Sequence, residues 1–326
     1  MKGKNTMKNS KKIISVLLAV MMAAASAFSM AGCSGDNNET TSTDESAQTT
    51  TEASTTEEGA TEEATYDPAD LDEVAEVVGK SYKEDTEHDY GYQLEMPEVG
   101  ETIAIIHTSM GDISLRLFPE NAPNTVNNFI ELAKAGKYDN TIFHRVIDDF
   151  MIQGGDFENG DGTGGSTYND EILEDEFCDK LLNLRGAVAM ANSGRDTNGS
   201  QFFINQAGPE NIDWDALQAN WEYMYEGLSM YHAEGVADYF AGMYGSYCYN
   251  PESVPEEVKE LYNQYGGNPS LDGAYNAVDR GHTVFAQVFE GMDVVDAIAA
   301  VETDSETNKP YDDVIVTSVE ITTYQG

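Results

Sequence analysis

Between residues 102 and 322 the sequence sets many short apolar runs between turn residues, and this spacing limits the fold more than any other feature. Two helices stand among the runs: one opens at Pro123 and ends at Gly136, and the other covers residues 293–300. Because strands and helices do not alternate, the pattern favours a closed antiparallel barrel, a mainly β fold, over a parallel sheet. The runs of strand length are residues 103–107, 113–118, 142–146, 150–153, 187–191, 202–204, 284–288 and 314–322.

Residues 208–270 interrupt this pattern. Ser253 and Glu256 have the spacing of a capping box in front of a helix that Gly266 ends. An earlier stretch repeats apolar residues at every third or fourth position, as a helix with one apolar face does. We interpret the block as an α-helical insertion whose apolar faces form core. The repeated residues are Trp214, Leu217, Trp221, Met224 and Leu228.

Residues 1–32 have the composition of an export signal. Five lysines precede an apolar run at residues 13–25, which ends in small residues and is short for a membrane span. The segment ends at Met30-Ala31-Gly32-Cys33, which resembles a bacterial lipoprotein lipobox with Cys33 as the lipidated residue. The alternative is an ordinary exported protein with an incidental cysteine.

The segment after Cys33 has a composition that does not support a core. Residues 34–65 contain no basic side chain and no large apolar one, so they cannot bury enough surface to fold. We therefore predict a disordered acidic tether rich in Thr, Ser and Glu over residues 33–66. Residues 67–100 are predicted to be a lead-in segment with a short helix at residues 70–78. The folded domain is predicted over residues 101–325.

The charge balance excludes several classes of partner. The 326-residue chain has 17 basic and 59 acidic side chains, for a formal net charge of −42. Because no positive field of any size exists, we predict no nucleic-acid partner, and membrane contact only through the lipid anchor. Three cysteines without a C-x-x-C pair are too few for a disulfide scaffold, and Cys178 and Cys248 are either free or paired. We predict no metal and no cofactor.

Two long strings of residues carry the chemistry. The first consists of FHRVI at residues 143–147 and FMIQGGD at residues 150–156, and the second of MANSG at residues 190–194 and TNGSQFFI at residues 197–204. In these strings the sequence resembles the cyclophilins, a family of peptidyl-prolyl cis-trans isomerases. The resemblance covers about residues 103–322. It implies a closed eight-stranded antiparallel barrel capped by two helices, here with an α-helical insertion.

The resemblance also implies the site. Arg145 matches the catalytic arginine of the family, and Gln153 matches its neighbouring glutamine. Leu271 is the less regular match, because residues 274–281 separate it from the histidine that normally stands close by. The residues that match the proline pocket are Phe150, Met151, Phe203, Leu271 and the rim residue His282, and those that match the peptide groove are Ala191, Asn192 and Gln201.

The residues suit the chemistry of this reaction. Rotation about an X-Pro bond crosses a barrier of about 18–20 kcal/mol but breaks no bond, so neither nucleophile nor metal is needed. The prolyl nitrogen becomes basic as it twists, and a fixed donor there stabilises the twisted state only. Arg145 can be that donor because it stays charged. The alternatives are a structural ion pair for Arg145 and plain core positions for the apolar residues.

We therefore predict a peptidyl-prolyl cis-trans isomerase that assists the folding of exported proteins. The predicted partners are unfolded or exported polypeptides that contain proline, and the protein is predicted to act as a monomer on the extracytoplasmic face of the cell membrane. The alternative is a proline-peptide binding module or holdase chaperone with weak isomerase activity, which uses the insertion to hold its partner.

Overall fold

A computed structural model of the protein describes residues 69–326. The predictions for the export signal, for Cys33 and for the acidic tether lie outside these residues. No helix in the part of the chain that the structure describes is both long enough and apolar enough to cross a membrane.

Nine strands form one antiparallel sheet with the order β3-β9-β1-β2-β8-β6-β7-β5-β4. Within residues 69–326, six α-helices accompany the sheet. The strands are β1 Thr102–Thr108, β2 Gly111–Leu117, β3 Thr141–Ile142, β4 Arg145–Ile147, β5 Met151–Gly154, β6 Ala187–Met190, β7 Phe202–Asn205, β8 Val284–Glu290 and β9 Ile315–Thr323. The helices are α1 Leu71–Val78, α2 Pro123–Lys134, α3 Trp214–Ala233, α4 Ala237–Tyr244, α5 Glu256–Tyr265 and α6 Met292–Ala299.

The strand number differs from the eight that the resemblance implies. The run at residues 142–146, predicted as one strand, is divided into β3 and β4 by Phe143 and His144. The chain turns there from one partner to another: Phe143 N donates to Val314 O, whereas Val146 N donates to Asn308 O. β3 and β4 are the two ends of the sheet order, and among residues 69–326 no ladder joins them. The mainly β antiparallel architecture is confirmed, and closure of the barrel stays a prediction.

Side chains from the sheet enter two separate hydrophobic clusters. Successive residues of a strand point to opposite faces, so one strand supplies both clusters. Ile152 and Ile204 belong to an interior cluster that the helices α2 and α6 cover through residues such as Phe129. Met151 and Phe203 belong to a second cluster on the other face. The strings that carry the chemistry thus contribute alternate residues to the interior and to the outer face.

The segment at residues 208–270 is helical and contains α3, α4 and α5. Its two ends lie side by side, because Gly267 N donates to Ala207 O at 3.0 Å. The predicted capping box is wrong. α5 begins at Glu256 with Pro255 in front of it, and the Ser253 hydroxyl donates instead to Asn250 O at 2.8 Å. Pro255 has φ near −59°, as its ring requires, and it opens the helix without a side-chain cap.

Cys178 and Cys248 are both free and buried. Burial raises the pKa of the Cys178 thiol to about 11 and that of the Cys248 thiol to about 12. Neither thiol is therefore reactive at neutral pH.

The lead-in segment packs on the rest of the domain through distant partners. α1 begins after Asp70, whose carboxylate accepts from two N–H groups of the first turn, and ends at Gly79 in the left-handed conformation. Just before α1, Ala69 N donates to Ser229 Oγ at 3.0 Å, and the Tyr225 hydroxyl donates to Ala69 O at 2.8 Å. The start of the described chain is thereby fastened to α3 of the insertion.

Gln93 anchors the end of the lead-in segment in the interior. Its side chain is fully buried and makes three hydrogen bonds: Nε2 donates to Leu182 O and to Gln287 Oε1, each at 3.0 Å, and Oε1 accepts from Leu182 N at 2.8 Å. The side chain thus pairs both the N–H and the C=O of Leu182, a residue that lies outside the strands of the sheet.

We expect Gln93→Ala to lower the free energy of unfolding by about 2–4 kcal/mol, because it leaves buried polar groups unpaired and opens a small cavity. Urea unfolding monitored by fluorescence measures the change. Gln264→Ala, at an exposed position of α5, is the matched control and should change stability by less than about 0.5 kcal/mol. Equal effects of the two substitutions would show that Gln93 does not anchor the segment.

Candidate active site

Three predicted site residues lie in one row across neighbouring strands. Arg145 opens β4 and stands opposite Gln153 on β5, which in turn stands opposite Phe203 on β7. Residues directly opposite each other on antiparallel strands share a face. The pairing register therefore places the three side chains together on the outer face of the sheet.

The polar end of the row is a chain of hydrogen bonds. Arg145 Nη1 donates to Gln153 Oε1 at 3.3 Å and lies 4.0 Å from Met151 Sδ. Gln153 Nε2 donates to Gln201 Oε1 at 3.0 Å. The guanidinium carbon of Arg145 is 6.0 Å from the centre of the Phe150 ring. The arginine is thus held by an amide at the edge of an apolar surface.

That apolar surface contains five of the predicted residues. Met151 and Phe203 are buried, whereas the others are half-buried and reach solvent with part of their surface. All five belong to one hydrophobic cluster on the outer face of the sheet. A partly open apolar surface beside a guanidinium group can receive a pyrrolidine ring. The five residues are Phe150, Met151, Ala191, Phe203 and Leu271.

His282 lies at the rim of this surface. Its ring meets the Phe203 ring edge-on with 5.1 Å between centres, and its Nδ1 is 2.9 Å from Met190 O. Burial lowers the pKa of His282 and outweighs the hydrogen bond to the Met190 carbonyl, so the imidazole is neutral at pH 7 and Nδ1 is the donor. A neutral ring adds a rim contact without a second positive charge beside Arg145.

Leu271 and His282 are neighbours in space despite the residues between them. His282 N donates to Leu271 O at 3.0 Å, so the intervening chain leaves the site and returns to it. Gly281, at φ +157°, closes this loop against Gly273, and a Cβ atom on Gly281 would lie 2.4 Å from the Gly273 Cα. The long spacing between Leu271 and His282 therefore corresponds to a loop of the chain. Leu271 remains in the hydrophobic cluster on the outer face of the sheet.

A cleft of about 390 Å³ adjoins the row. One wall is the loop at residues 158–166, and the other includes Ala191 and Asn192. Gln201 lies between the walls, and its Nε2 donates to Gly162 O at 2.9 Å and to Gly164 O at 2.7 Å. Asn192 Nδ2 donates to Gly281 O at 2.9 Å, so its side chain is fixed to the neighbouring wall. The structure thus brings all ten predicted site residues to one face of the molecule.

The ends of the helical segment at residues 208–270 also meet the site. Phe150 O accepts from Gln206 N at 2.8 Å and from Ala207 N at 3.2 Å, just before the insertion begins. The same carbonyl accepts from Asn268 Nδ2 at 3.1 Å, just after α5 ends. The backbone at Phe150 is therefore held by both ends of the helical segment.

One residue that supports the apolar surface was not predicted from the sequence. Tyr92 of the lead-in segment is buried in the same cluster as Met151 and Phe203, and its ring meets the Phe118 ring at 5.5 Å. Asn121 Nδ2 donates to the Tyr92 hydroxyl at 2.5 Å. No local pattern marks Tyr92, because its partners lie far along the chain. The lead-in segment thus supports the apolar surface from below.

The described part of the chain holds no group of three or more His, Cys, Asp or Glu side chains arranged to bind a metal ion.

Comparison with known proteins decides the family. Residues 103–225 and 262–321 match the family described as cyclophilin type peptidyl-prolyl cis-trans isomerase/CLD. The chain belongs to this family. It is a cyclophilin-type peptidyl-prolyl cis-trans isomerase (EC 5.2.1.8), and its substrates are peptides that contain proline. The match is interrupted at residues 226–261, a shorter segment than the predicted insertion.

The chain is similar to several known proteins. The isomerase is 36% identical over 223 residues to a Staphylococcus epidermidis protein named as a peptidyl-prolyl cis-trans isomerase, over 68% of this chain and 92% of the relative. It is 41% identical over 219 residues to a Streptococcus pyogenes protein named as a bifunctional phosphatase/peptidyl-prolyl cis-trans isomerase, and covers 38% of that relative. A crystal structure of a Cryptosporidium parvum cyclophilin type isomerase is 24% identical, with a TM-score of 0.46, over 68% of this chain and 98% of that one.

Proposed function

We propose that this isomerase accelerates X-Pro isomerisation in exported proteins, with Arg145 as its catalytic residue, from the outer face of the cytoplasmic membrane. The observation that supports the site is the position of the Arg145 guanidinium. Gln153 holds it beside the half-open apolar surface of Phe150, Met151 and Phe203. Charge and pocket are therefore adjacent, as the reaction requires.

The reaction uses these groups in different ways. The prolyl ring packs on the apolar surface, and the backbone of Asn192 binds a carbonyl of the substrate. As the C–N bond twists, resonance is lost and the prolyl nitrogen gains a lone pair. Arg145 donates to that lone pair, which exists only in the twisted state, so the interaction lowers the barrier without tightening ground-state binding. Gln153 and Gln201 orient the guanidinium group.

The energy required is within reach of such a site. Uncatalysed isomerisation takes about 10–100 s. A turnover of about 10³ per second corresponds to about 6 kcal/mol of differential stabilisation. A positioned charged donor contributes about 3–4 kcal/mol of this, and orientation and desolvation of the substrate contribute the rest.

The test of the activity is a direct rate measurement. A proline tetrapeptide and a protein whose refolding is limited by proline isomerisation are each followed with and without the isomerase. We expect both rates to rise in proportion to enzyme concentration. Rates equal to the uncatalysed values for both substrates would refute the proposal.

A holdase is the second candidate, and exposed apolar side chains on α4 favour it. Tyr239 and Met243 lie one turn apart on this helix and are 59% and 51% exposed. A holdase would suppress the aggregation of an unfolded protein without changing the isomerisation rate. Arg145→Ala separates the two candidates, because it should strongly lower the isomerase activity and leave any suppression of aggregation unchanged.

The proposed location rests on the sequence of the first 66 residues. We expect Cys33→Ala to move the protein from the membrane fraction to the medium, or to leave it with an uncleaved signal, because Cys33 is the one cysteine among residues 1–66 and its thiol would carry the lipid. Cell fractionation with detergent phase partition measures this. Ser34→Ala is the matched control and should stay in the membrane fraction. Wild-type protein found wholly in the soluble fraction would contradict the anchor.

A further inference from the structure

We propose that Asp156 is a positioning residue of this isomerase: its carboxylate fixes the loop at residues 158–166, whose carbonyls orient Gln201 and, through Gln153, the guanidinium of Arg145. This inference rests on the proposed catalytic role of Arg145. Asp156 follows β5 directly after the glycine pair Gly154-Gly155 and is only 2% exposed.

The Asp156 carboxylate is the centre of the loop. Burial opposes its ionisation, but backbone N–H groups outweigh that effect and hold the pKa of Asp156 at about 2, so it is charged at any physiological pH. Five N–H groups donate to its two oxygens. Oδ1 accepts from Glu158 at 3.1 Å and Asn159 at 2.9 Å, and Oδ2 accepts from Asp161 at 3.2 Å, Gly162 at 2.8 Å and Gly164 at 3.1 Å.

The loop needs a fixed hydrogen-bond acceptor because its glycine-rich backbone has few conformational restrictions of its own. Gly160, Gly162 and Gly165 have φ values of +69°, +92° and +102°, a region that glycine enters readily and leaves readily. No helix or strand of the sheet includes residues 155–186. The carboxylate therefore determines where the Gly162 and Gly164 carbonyls point.

Those two carbonyls set the direction of the hydrogen-bond chain to Arg145. Gln201 Nε2 has two hydrogens and gives one to each carbonyl. Its Oε1 must then face Gln153, where it accepts from Nε2 at 3.0 Å. This leaves Gln153 Oε1 as the acceptor for Arg145 Nη1. If the loop carbonyls moved away, either amide could turn around, and an NH₂ group would face the guanidinium.

The first experiment compares two isosteric changes in the same loop. Asp156→Asn keeps the shape but turns one acceptor into an NH₂ group that faces N–H donors. We expect kcat/KM for a proline tetrapeptide to fall about tenfold, mainly through kcat, since orientation of Arg145 matters in the twisted state. Asp161→Asn is the control. The Asp161 side chain is exposed and its carboxylate accepts from Thr163, so its replacement should change kcat/KM by less than about twofold.

A double-mutant cycle distinguishes positioning from a general structural role. If Asp156 acts through Gln201, Asp156→Asn should have little further effect in a Gln201→Leu background. Loss of kcat/KM by the same factor in both backgrounds would overturn the proposal, as would full activity of Asp156→Asn. Arg145→Ala is measured alongside: an active Arg145→Ala refutes the proposed function, whereas an inactive one with active Asp156→Asn refutes only this inference.

A milder variant covers the case in which Asp156→Asn fails to fold. Glu158 is exposed, and its carboxylate fixes the other end of the loop by accepting from Gly165 N at 2.9 Å and from the Ser166 hydroxyl at 2.7 Å. Glu158→Gln should fold normally and lower kcat about threefold. Unchanged kcat in this variant, with the Asp156 variant unfolded, would count against the loop as a positioning element.

Discussion

Replacing Arg145 with alanine is expected to lower kcat/KM for a proline tetrapeptide by about 10²–10³-fold, or about 3–4 kcal/mol, with an unchanged fold. Arg145 is half-buried at the edge of the sheet, and its Nη1 donates to Gln153, another residue of the site. Its loss therefore removes a donor to the twisted prolyl nitrogen and little core packing. Rates from a coupled isomerisation assay and a melting curve give both quantities.

Two further variants sharpen this result. Arg145→Lys keeps the charge but loses the planar fork of donors, so we expect an intermediate loss of activity. Arg116→Ala is the matched control, because Arg116 donates to Tyr92 O at 3.1 Å and pairs with Glu101 at 3.3 Å, away from the site row. It should lower stability and leave kcat/KM near the wild-type value.

The opposite outcome would identify Arg145 as half of a structural ion pair. In that case Arg145→Ala would lose more than about 3 kcal/mol of unfolding free energy. A stable and active Arg145→Ala protein would remove Arg145 from the catalytic machinery altogether.

The second large effect is a loss of stability with rising pH caused by Asp272. This residue follows Leu271 and is 3% exposed. Its Oδ1 accepts from Asn183 N at 2.8 Å and from Asn183 Nδ2 at 3.0 Å, and its Oδ2 lies 2.6 Å from the Tyr262 hydroxyl of α5. Burial raises the pKa of Asp272 from 3.8 to about 7, despite these hydrogen bonds.

The sign of the change in stability follows from the pKa of Asp272 in the unfolded chain, 3.8, and in the folded state, about 7. Between pH 4 and pH 7 the folded state holds a proton on Asp272 that the unfolded chain has released. The stabilisation is therefore fully present below pH 4 and is lost as pH rises through 7, at up to about 1.4 kcal/mol per pH unit and about 4 kcal/mol in all. The Tyr262 contact survives protonation, because carboxyl and hydroxyl can exchange donor and acceptor.

Urea unfolding between pH 4 and pH 8 checks this prediction. Asp272→Asn carries no titratable group, so its stability relative to the wild type should rise by about 4 kcal/mol across the range. Asp85→Asn provides a comparison of opposite sign once the series is extended down to pH 2. Burial opposes ionisation of Asp85, but hydrogen bonds from Asn121, Glu87 and His88 outweigh it and hold its pKa at about 2. Its stabilisation is present above pH 4 and lost in acid. A pH-independent difference between Asp272→Asn and wild type would refute the shift.

Much of the sheet could be predicted from local pattern. The alternation of apolar residues locates β1, β2, β8 and β9 to within one or two residues, and the helix that opens at Pro123 begins at that residue. Strand pairing then follows from burial of one face, so the row from Arg145 to Phe203 is a consequence of register. The site residues themselves came from the resemblance, since Phe150 or Met151 alone would be read as core.

Contacts between distant segments could not be predicted in the same way. The burial of Tyr92 and Gln93 depends on partners in later strands, and nothing in the lead-in sequence specifies them. The return of Leu271 to His282 depends on the close approach of Gly281 and Gly273. The capping box at Ser253 failed because Pro255 supplies a competing start for the helix. In each case tertiary packing outweighed a local preference.

The anchoring of Gln93 has a consequence for how the chain matures. Its amide bonds to Gln287, 194 residues further along, and Ala69 bonds to Ser229, 160 residues away. Protein chains are made from the N-terminus, so the lead-in segment exists well before the strand that completes its hydrogen bonds. Contacts of such long separation are also slow to form. The apolar surface above Tyr92 therefore gains its last support only after β8 has been synthesised, so a nascent chain that ends before Gln287 lacks this support.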